Sequence, residues 1–230
     1  MRPPESEQPV SRETGQSGRE AIRRVATWTG HDLNERTTAR LGDYRDWLIE
    51  EAIPAGGLGP REGERIWSRH IADSLSFAAG WRTTPPPEIL DVGSGVGLPG
   101  IPLAMLFPDT PVTLLDRGGR RVRLLRRVVR VLAIENVIVA QGDVFSVADE
   151  WMGVVYRGAV PPPEGVGLSA RLLDVGGTAV FGLSRRAERP AEADDLVHLA
   201  GALGMEGTVE RVPPEILDGG AWLFIMRLGD

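Results

Sequence analysis

The chain contains no cysteine. That excludes disulfides, zinc–thiolate sites and iron–sulfur clusters, and with them the cysteine nucleophile that methylation at pyrimidine C5 requires. Lysine is missing too: all 26 basic residues are arginine, so chemistry that depends on a lysine amine is excluded. Histidine is scarce. The three, at positions 31, 70 and 198, lie far apart without ligand spacing, and no metal site is expected. No apolar run approaches the ~20 residues of a membrane span, and the N-terminal segment lacks the apolar stretch of a signal peptide. A cytoplasmic protein with no membrane partner is expected. Positive charge is not in excess either. The formal net charge is −6, so a polyanion could be held only by a local basic patch.

The 230 residues, 42% of them hydrophobic, suffice for one sizeable core with a short appendage. Residues 1–18 are polar and rich in proline, glycine and serine, which predicts a disordered tail. Residues 19–29, 34–53 and 64–81 carry apolar residues at helical spacing, with Leu41, Tyr44, Trp47 and Leu48 on one face. Trp28, Trp47, Trp67 and Trp81 are read as core residues of this part. "RTTPPPE" at 82–88 breaks the chain, and a boundary is placed there between a helical region, 19–84, and an α/β core, 85–230.

From residue 89 short apolar strands alternate with helices. Strands are predicted at "EILDV", "PVTLLD", "NVIVAQGD", "GVVYRG" and "TAVFGLS". Helices are predicted over 101–107, 120–134, 167–177 and 191–204. Val122, Leu125, Val129 and Leu132 form the expected core face of the second. Two closing strands, "EGTVERV" and "AWLFIMRL", are joined too briefly for a helical crossover and should pair as an antiparallel edge hairpin. The pattern predicts a mostly parallel sheet with helices on both faces. With the terminal hairpin it resembles the seven-stranded, Rossmann-like S-adenosylmethionine-dependent methyltransferase fold, here with an N-terminal helical extension.

The stretch "ILDVGSGVGLPGI" (89–101) carries glycines at 93, 95, 97 and 100. Read from Gly95 it spells the dinucleotide pattern G-x-G-x-x-G. Read from Asp91 it spells D-x-G-x-G-x-G, the S-adenosylmethionine pattern. Both ligands need glycines so that backbone can approach them. Both need an acid at the next strand end for a ribose, and Asp116 stands there. Asp91 at the strand end, and the shortness of the chain after Gly100, favour S-adenosylmethionine over a hydride carrier.

"LDVGSGVGLPGIPLA", "TLLDRGGRRVRLLR" and, upstream, "RHIADSL" resemble the bacterial glucose-inhibited division protein B family, over roughly 64–160. The resemblance implies methylation of N7 of a guanine in the 530 loop of 16S ribosomal RNA, with 16S RNA or the small ribosomal subunit as partner. It assigns Gly93 and Leu98 to the cofactor loop, beside Asp91, Gly95 and Gly97, and Asp116 to the ribose. Asp143, Val144 and Phe145 fall along the adenine pocket. Arg157, after the fourth strand, falls near cofactor and substrate, and Arg69, His70, Asp73 and Ser74 form a helix facing the active site. Where the family usually has "L-K-G" at the fifth strand, this chain has "GLSR" (182–185).

Guanine N7 has an exposed lone pair, so alignment alone can suffice and no general base is needed. Asp73 is the candidate for favouring the positive charge that the base gains, and Arg157 for holding a carboxylate or phosphate. Seven arginines crowd 117–130. Arg120, Arg121, Arg123 and Arg127 are candidate RNA contacts, against the alternative of a solvated helix face. "AVPPPE" has the prolines of exocyclic-amine methyltransferases without their amide or aromatic, and is read as a stiff loop. Two other functions fit the residues: methylation of a small molecule, and a cofactor-binding relic without activity.

Overall fold

Residues 15–229 are described, in a computed structural model of the chain. Helix α1 (Gly15–Trp28) turns Ile22, Val25 and Ala26 inward. It corrects the expected tail. Residues 15–18 form its first turn, and Gly18 lies so close to Trp67 that a Cβ there would meet the indole at 2.2 Å. Residues 1–14 of that expected tail lie outside the described residues. Helix α2 (Glu35–Trp47) starts at Asn34, whose side chain accepts the Thr37 N–H and satisfies one of the end amides. Its buried face is Leu41, Tyr44 and Trp47, and it runs on into wide i→i+5 turns at Leu48–Ala52.

After the loop, residues 62–81 form one irregular helical stretch. A tight turn over Glu62–Arg65 leads into wide turns over Ile66–Ala72, a single α-turn, α3 (Asp73–Ser76), and a tight turn to Trp81. Wide turns of this kind shift side chains out of the ordinary helical register and recur at functional sites. They bring His70 and Asp73 to one side, where both meet Arg157.

Among the described residues seven strands make one sheet: β1 (Ile89–Val92), β2 (Val112–Asp116), β3 (Val137–Gln141), β4 (Trp151–Tyr156), β5 (Leu173–Ser184), β6 (Met205–Val212) and β7 (Ala221–Leu228). Their order is β3-β2-β1-β4-β5-β7-β6. β1 to β5 pair in parallel. β7 is antiparallel to both neighbours and sits between β5 and β6, so the expected hairpin closes the sheet with its second strand inserted inward. The strands are linked by α4 (Gly100–Leu106), α5 (Gly119–Val131), α6 (Pro162–Leu172) and α7 (Ala193–Ala202).

Two expectations shift. α6 begins inside the prolines read as a loop, because a first-turn proline loses no hydrogen bond. It ends at Leu172, and the rest of the expected helix is the start of β5, whose pairing with β4 slips between Trp151 and Gly153. On α5 the buried residues are Val122, Leu125 and Val128. Val129 and Leu132 are only half-buried, Leu132 at the helix cap, but both pack against the core cluster as expected.

α6 and α7 cover one face of the sheet, around Val154, Phe181 and Phe224. α4, α5 and the N-terminal helices cover the other. There Ile22, Leu41, Trp47 and Ile71 belong to one cluster with Ile101, Val112, Val180 and Ile225. Each such side chain contributes about 1.5–3 kcal/mol by leaving water. The break at 82–88 separates helices from sheet along the chain, while packing runs across it.

Candidate active site

Strand order reverses between β1 and β4, so a crevice opens at the carboxyl ends of these strands. It holds a cleft of about 410 Å³, walled by Gly93, Asp116, Val144, Phe145, Ala159 and Pro161 among others. The chain leaves β1 through the glycine turn. Gly95 sits at φ 63°, and a Cβ there would project into open space with nothing nearer than 3.9 Å. Only glycine holds this conformation without strain. Across the cleft, a Cβ on Gly93 would meet the Ala159 side chain at 2.5 Å.

Asp116 ends β2 and is buried. Its Oδ2 accepts the Gly95 N–H at 3.0 Å and its Oδ1 the Gly118 N–H at 2.7 Å. Each carboxylate oxygen has a second lone pair, which leaves two acceptors for a pair of ribose hydroxyls. Val144 gives the cleft a buried apolar wall, Phe145 is 54% exposed, and the Asp143 carboxylate receives the Phe145 N–H at 3.1 Å. Glycine backbone, a ribose acid and an apolar wall for a planar base are the donor set that S-adenosylmethionine needs, and the residues fit it.

Three residues of the expected cofactor loop stand elsewhere. Asp91 is fully buried beneath the turn, where its Oδ2 accepts the Gly100 N–H at 2.9 Å and caps α4. Its Oδ1 has no hydrogen-bond partner among the described residues. Burial pushes its pKa up to about 7, against the pull of the Gly100 N–H. Leu98 points into the core, 5% exposed, because the turn buries it against the N-terminal helices. Gly97 faces Ile101 and the Tyr44 hydroxyl rather than the cleft. That hydroxyl donates to the Val96 carbonyl at 3.0 Å, so α2 grips the glycine turn from behind.

The upstream motif and Arg157 do come together. Arg157 follows β4, and its Nε donates to Asp73 Oδ2 at 3.0 Å. Its Nη2 reaches the Arg69 carbonyl at 3.1 Å and His70 Nδ1 at 3.3 Å. Because a guanidinium only donates, His70 Nδ1 is the acceptor and its Nε2–H donates to Glu62, 2.9 Å away. Burial, then the Arg157 charge, lower the His70 pKa to about 4. Burial pushes Glu62 up, but His70, Arg65 and Arg69 outweigh it and hold the carboxyl below its ordinary range. Ser74 is no part of the cleft: fully buried, its Oγ donates to the His70 carbonyl at 2.6 Å, a local bond within the helix.

Sequence reading missed Glu62 and Arg185. Arg185, just beyond β5, lies 3.6 Å from Asp73 Oδ1 and donates to the Ser68 carbonyl at 3.0 Å. Asp73 thus faces two guanidinium groups rather than standing as an isolated carboxylate. In "GLSR" the cation stands just after the fifth strand, and only the contact with Asp73 gives it a role in the site.

The arginines of α5 divide. Arg120 donates to the Ala55 carbonyl and Arg127 pairs with Glu51 at 2.6 Å, so these two strap α5 to the N-terminal region. Arg121 leans over the cleft, 3.7 Å from Asp116. Arg123, Arg126 and Arg130 are exposed, and no ion pair involves them among the described residues.

Fold and cleft together define an S-adenosylmethionine-dependent methyltransferase. Residues 37–198 match the family described as rRNA small subunit methyltransferase G, and the chain belongs to that family. The ribosomal RNA small subunit methyltransferase G of Acidothermus cellulolyticus is 35% identical over 167 residues, 73% of each chain. That of Cellvibrio japonicus is 35% identical over 204 residues, covering 86% of this chain and 88% of the relative. Among solved structures, M. jannaschii TYW2 in complex with AdoMet shares the fold, with a TM-score of 0.52 and 17% identity over 70% of this chain and 76% of that one.

Proposed function

We propose that the protein methylates N7 of a guanine in the 530 loop of 16S ribosomal RNA, acting in the cytoplasm on the small ribosomal subunit or its RNA. The observation that carries the choice of nucleophile is that, among the described residues, every candidate base of the cluster around Arg157 is already engaged. His70 accepts from Arg157 and donates to Glu62. Asp73 is engaged by Arg157 and lies against Arg185, and Glu62 is engaged by His70 and Arg65. Methylation of an amine or hydroxyl calls for a group to take a proton. Guanine N7 has none to lose.

Asp116, Gly93, Gly95, Val144 and Phe145 would hold the cofactor. S-adenosylmethionine, when bound, supplies a methyl group made electrophilic by its sulfonium. The protein's work is then to orient the guanine and exclude other poses. Asp73 serves it by fixing Arg157 and lying against Arg185 beside the cleft, and neutral His70 by closing the fork of Arg157. The family relationship supports an RNA substrate, and so does charge. Arg65, Arg69, Arg157 and Arg185 face Glu62 and Asp73, a local surplus of cations on an acidic protein.

The test is incubation of the protein with labelled S-adenosylmethionine and 30S subunits from a strain lacking this family's enzyme. Label confined to the 530 loop, released as N7-methylguanine on digestion, is expected. Cofactor binding without any label in subunits or 16S RNA would overturn the reading in favour of a small-molecule substrate.

A further inference from the structure

A second cleft, of about 260 Å³, opens on the other side of Arg157 from the cofactor cleft. It lies at the same carboxyl edge of the sheet. Its walls are Arg69, Asp73 and Phe77 from the upstream helix, Arg157 after β4, the 182–185 segment ending β5, and Ala221–Leu223 starting β7. Because β7 runs antiparallel, its first residues reach this edge, and Trp222 pairs with Ser184. The floor is tight and apolar: a Cβ on Gly182 would meet Phe77 at 2.9 Å. Trp222 is half-buried. Its Nε1–H donates to the Arg186 carbonyl at 3.2 Å, and the Arg211 guanidinium lies 5.7 Å over its ring. The indole is therefore oriented by its edge and polarised by a cation, with its ring bordering the cleft.

We propose that this second cleft is the subsite for the substrate nucleotide, with Trp222 as the stacking platform for its base and Arg157 and Arg185 facing its phosphate. The inference rests on the RNA reading above. The cleft is smaller than the cofactor cleft, which suits one extruded base rather than a second large ligand. Enzymes that act on a base take it out of the stack and seat it between aromatic or apolar groups, and Trp222 and Phe77 are the aromatic walls here. Arg69, Arg157 and Arg185 line the cleft; Asp73 engages Arg157 and lies near Arg185, while Arg69 shares Glu62 with Arg65, so four guanidinium groups stand against two carboxylates. A nucleotide offers both a base for the π-face and an anion for the surplus of cations, whereas an uncharged apolar ligand would use only the first. Trp222 enters here although no motif singled it out, because only the inserted strand brings it beside residues some forty and 150 positions earlier.

The experiment compares wild type, Trp222→Ala and Trp222→Phe in steady-state methylation of undermethylated 30S subunits, with cofactor affinity measured separately by calorimetry. Base–aromatic stacking predicts that Trp222→Ala lowers kcat/KM for subunits roughly tenfold or more, with cofactor affinity unchanged. Trp222→Phe keeps a π-face but loses the N–H to Arg186, and should retain most activity. Wild-type kinetics for Trp222→Ala would overturn the subsite while leaving the RNA reading intact. Equal losses in both variants would overturn it too, because the indole would then act through its hydrogen bond, as a structural element. No labelling by the wild-type protein would instead sink the RNA reading itself.

Discussion

Single side chains in this protein carry charge in places where water is scarce, and that makes their roles separable. Asp116 ends β2 with two backbone amides on it and two lone pairs to spare. Asp116→Ala should weaken S-adenosylmethionine binding by about 1–3 kcal/mol, and unchanged affinity in calorimetry would remove the ribose role. His70 and Asp91 make opposite contributions to stability against pH. His70 titrates near 4 in the folded chain against 6.5 ordinarily. The unfolded chain therefore takes the proton first, and stability is lost as pH falls from about 6.5 through 4, by about 3 kcal/mol. Asp91, pushed up to about 7 from 3.8, works the other way. Its contribution is complete below 3.8 and is lost as pH rises through 7. The slopes oppose each other between pH 4 and 6.5, so the telling measurement is a difference. In urea unfolding, wild type should lose stability relative to His70→Gln on acidification across that window. Parallel curves would show that His70 is not held neutral.

At the scale of elements, much of the fold was legible because it rests on local patterns. The buried runs of β1 and β2 and the glycine turn between β1 and α4 speak through adjacent residues. The parts that were not legible depend on partners distant in sequence. "LDVGG" reads as the end of a helix until β4 supplies a strand to pair with. The prolines before α6 read as a breaker, although a helix tolerates proline in its first turn. Within the site, the acid of β2 and the motif at 69–74 were visible, and Glu62, Arg185 and Trp222 were not. Their meaning comes from irregular turns and an inserted strand. The grip of α2 on the glycine turn is another such long-range contact, and it makes a prediction. Tyr44 is fully buried, its hydroxyl held in the neutral form far above the ordinary range by burial, and it donates to Val96. Tyr44→Phe leaves that carbonyl unpaired in the interior, which should cost about 1–3 kcal/mol of stability and weaken cofactor binding by loosening the turn. Denaturant unfolding read beside calorimetry checks both. Lost stability with intact affinity would show that the turn holds its shape without α2.

For the whole molecule the question is how an acidic protein approaches a polyanion. With a net charge of −6, its long-range field repels RNA, so attraction must come from within about a Debye length of a basic surface. α5 offers one, because its arginines fall into two sets with different work. Arg120 and Arg127 are spent on Ala55 and Glu51, while Arg123, Arg126 and Arg130 face solvent beyond the rim that Arg121 forms over the cofactor cleft. Arg123→Glu with Arg126→Glu reverses charge where nothing in the fold depends on it. The double variant should raise KM for 30S subunits and flatten its dependence on salt, since fewer counterions are released on binding. Its cofactor affinity and unfolding midpoint should stay where they were. Arg127→Glu should do the reverse, placing a second carboxylate against Glu51 and lowering the unfolding midpoint slightly, since the pair is solvent-exposed, with a smaller effect on KM. If both substitutions moved KM and stability alike, α5 would be a structural strap along its whole length. The RNA would then have to be met by the guanidinium groups around Asp73 alone.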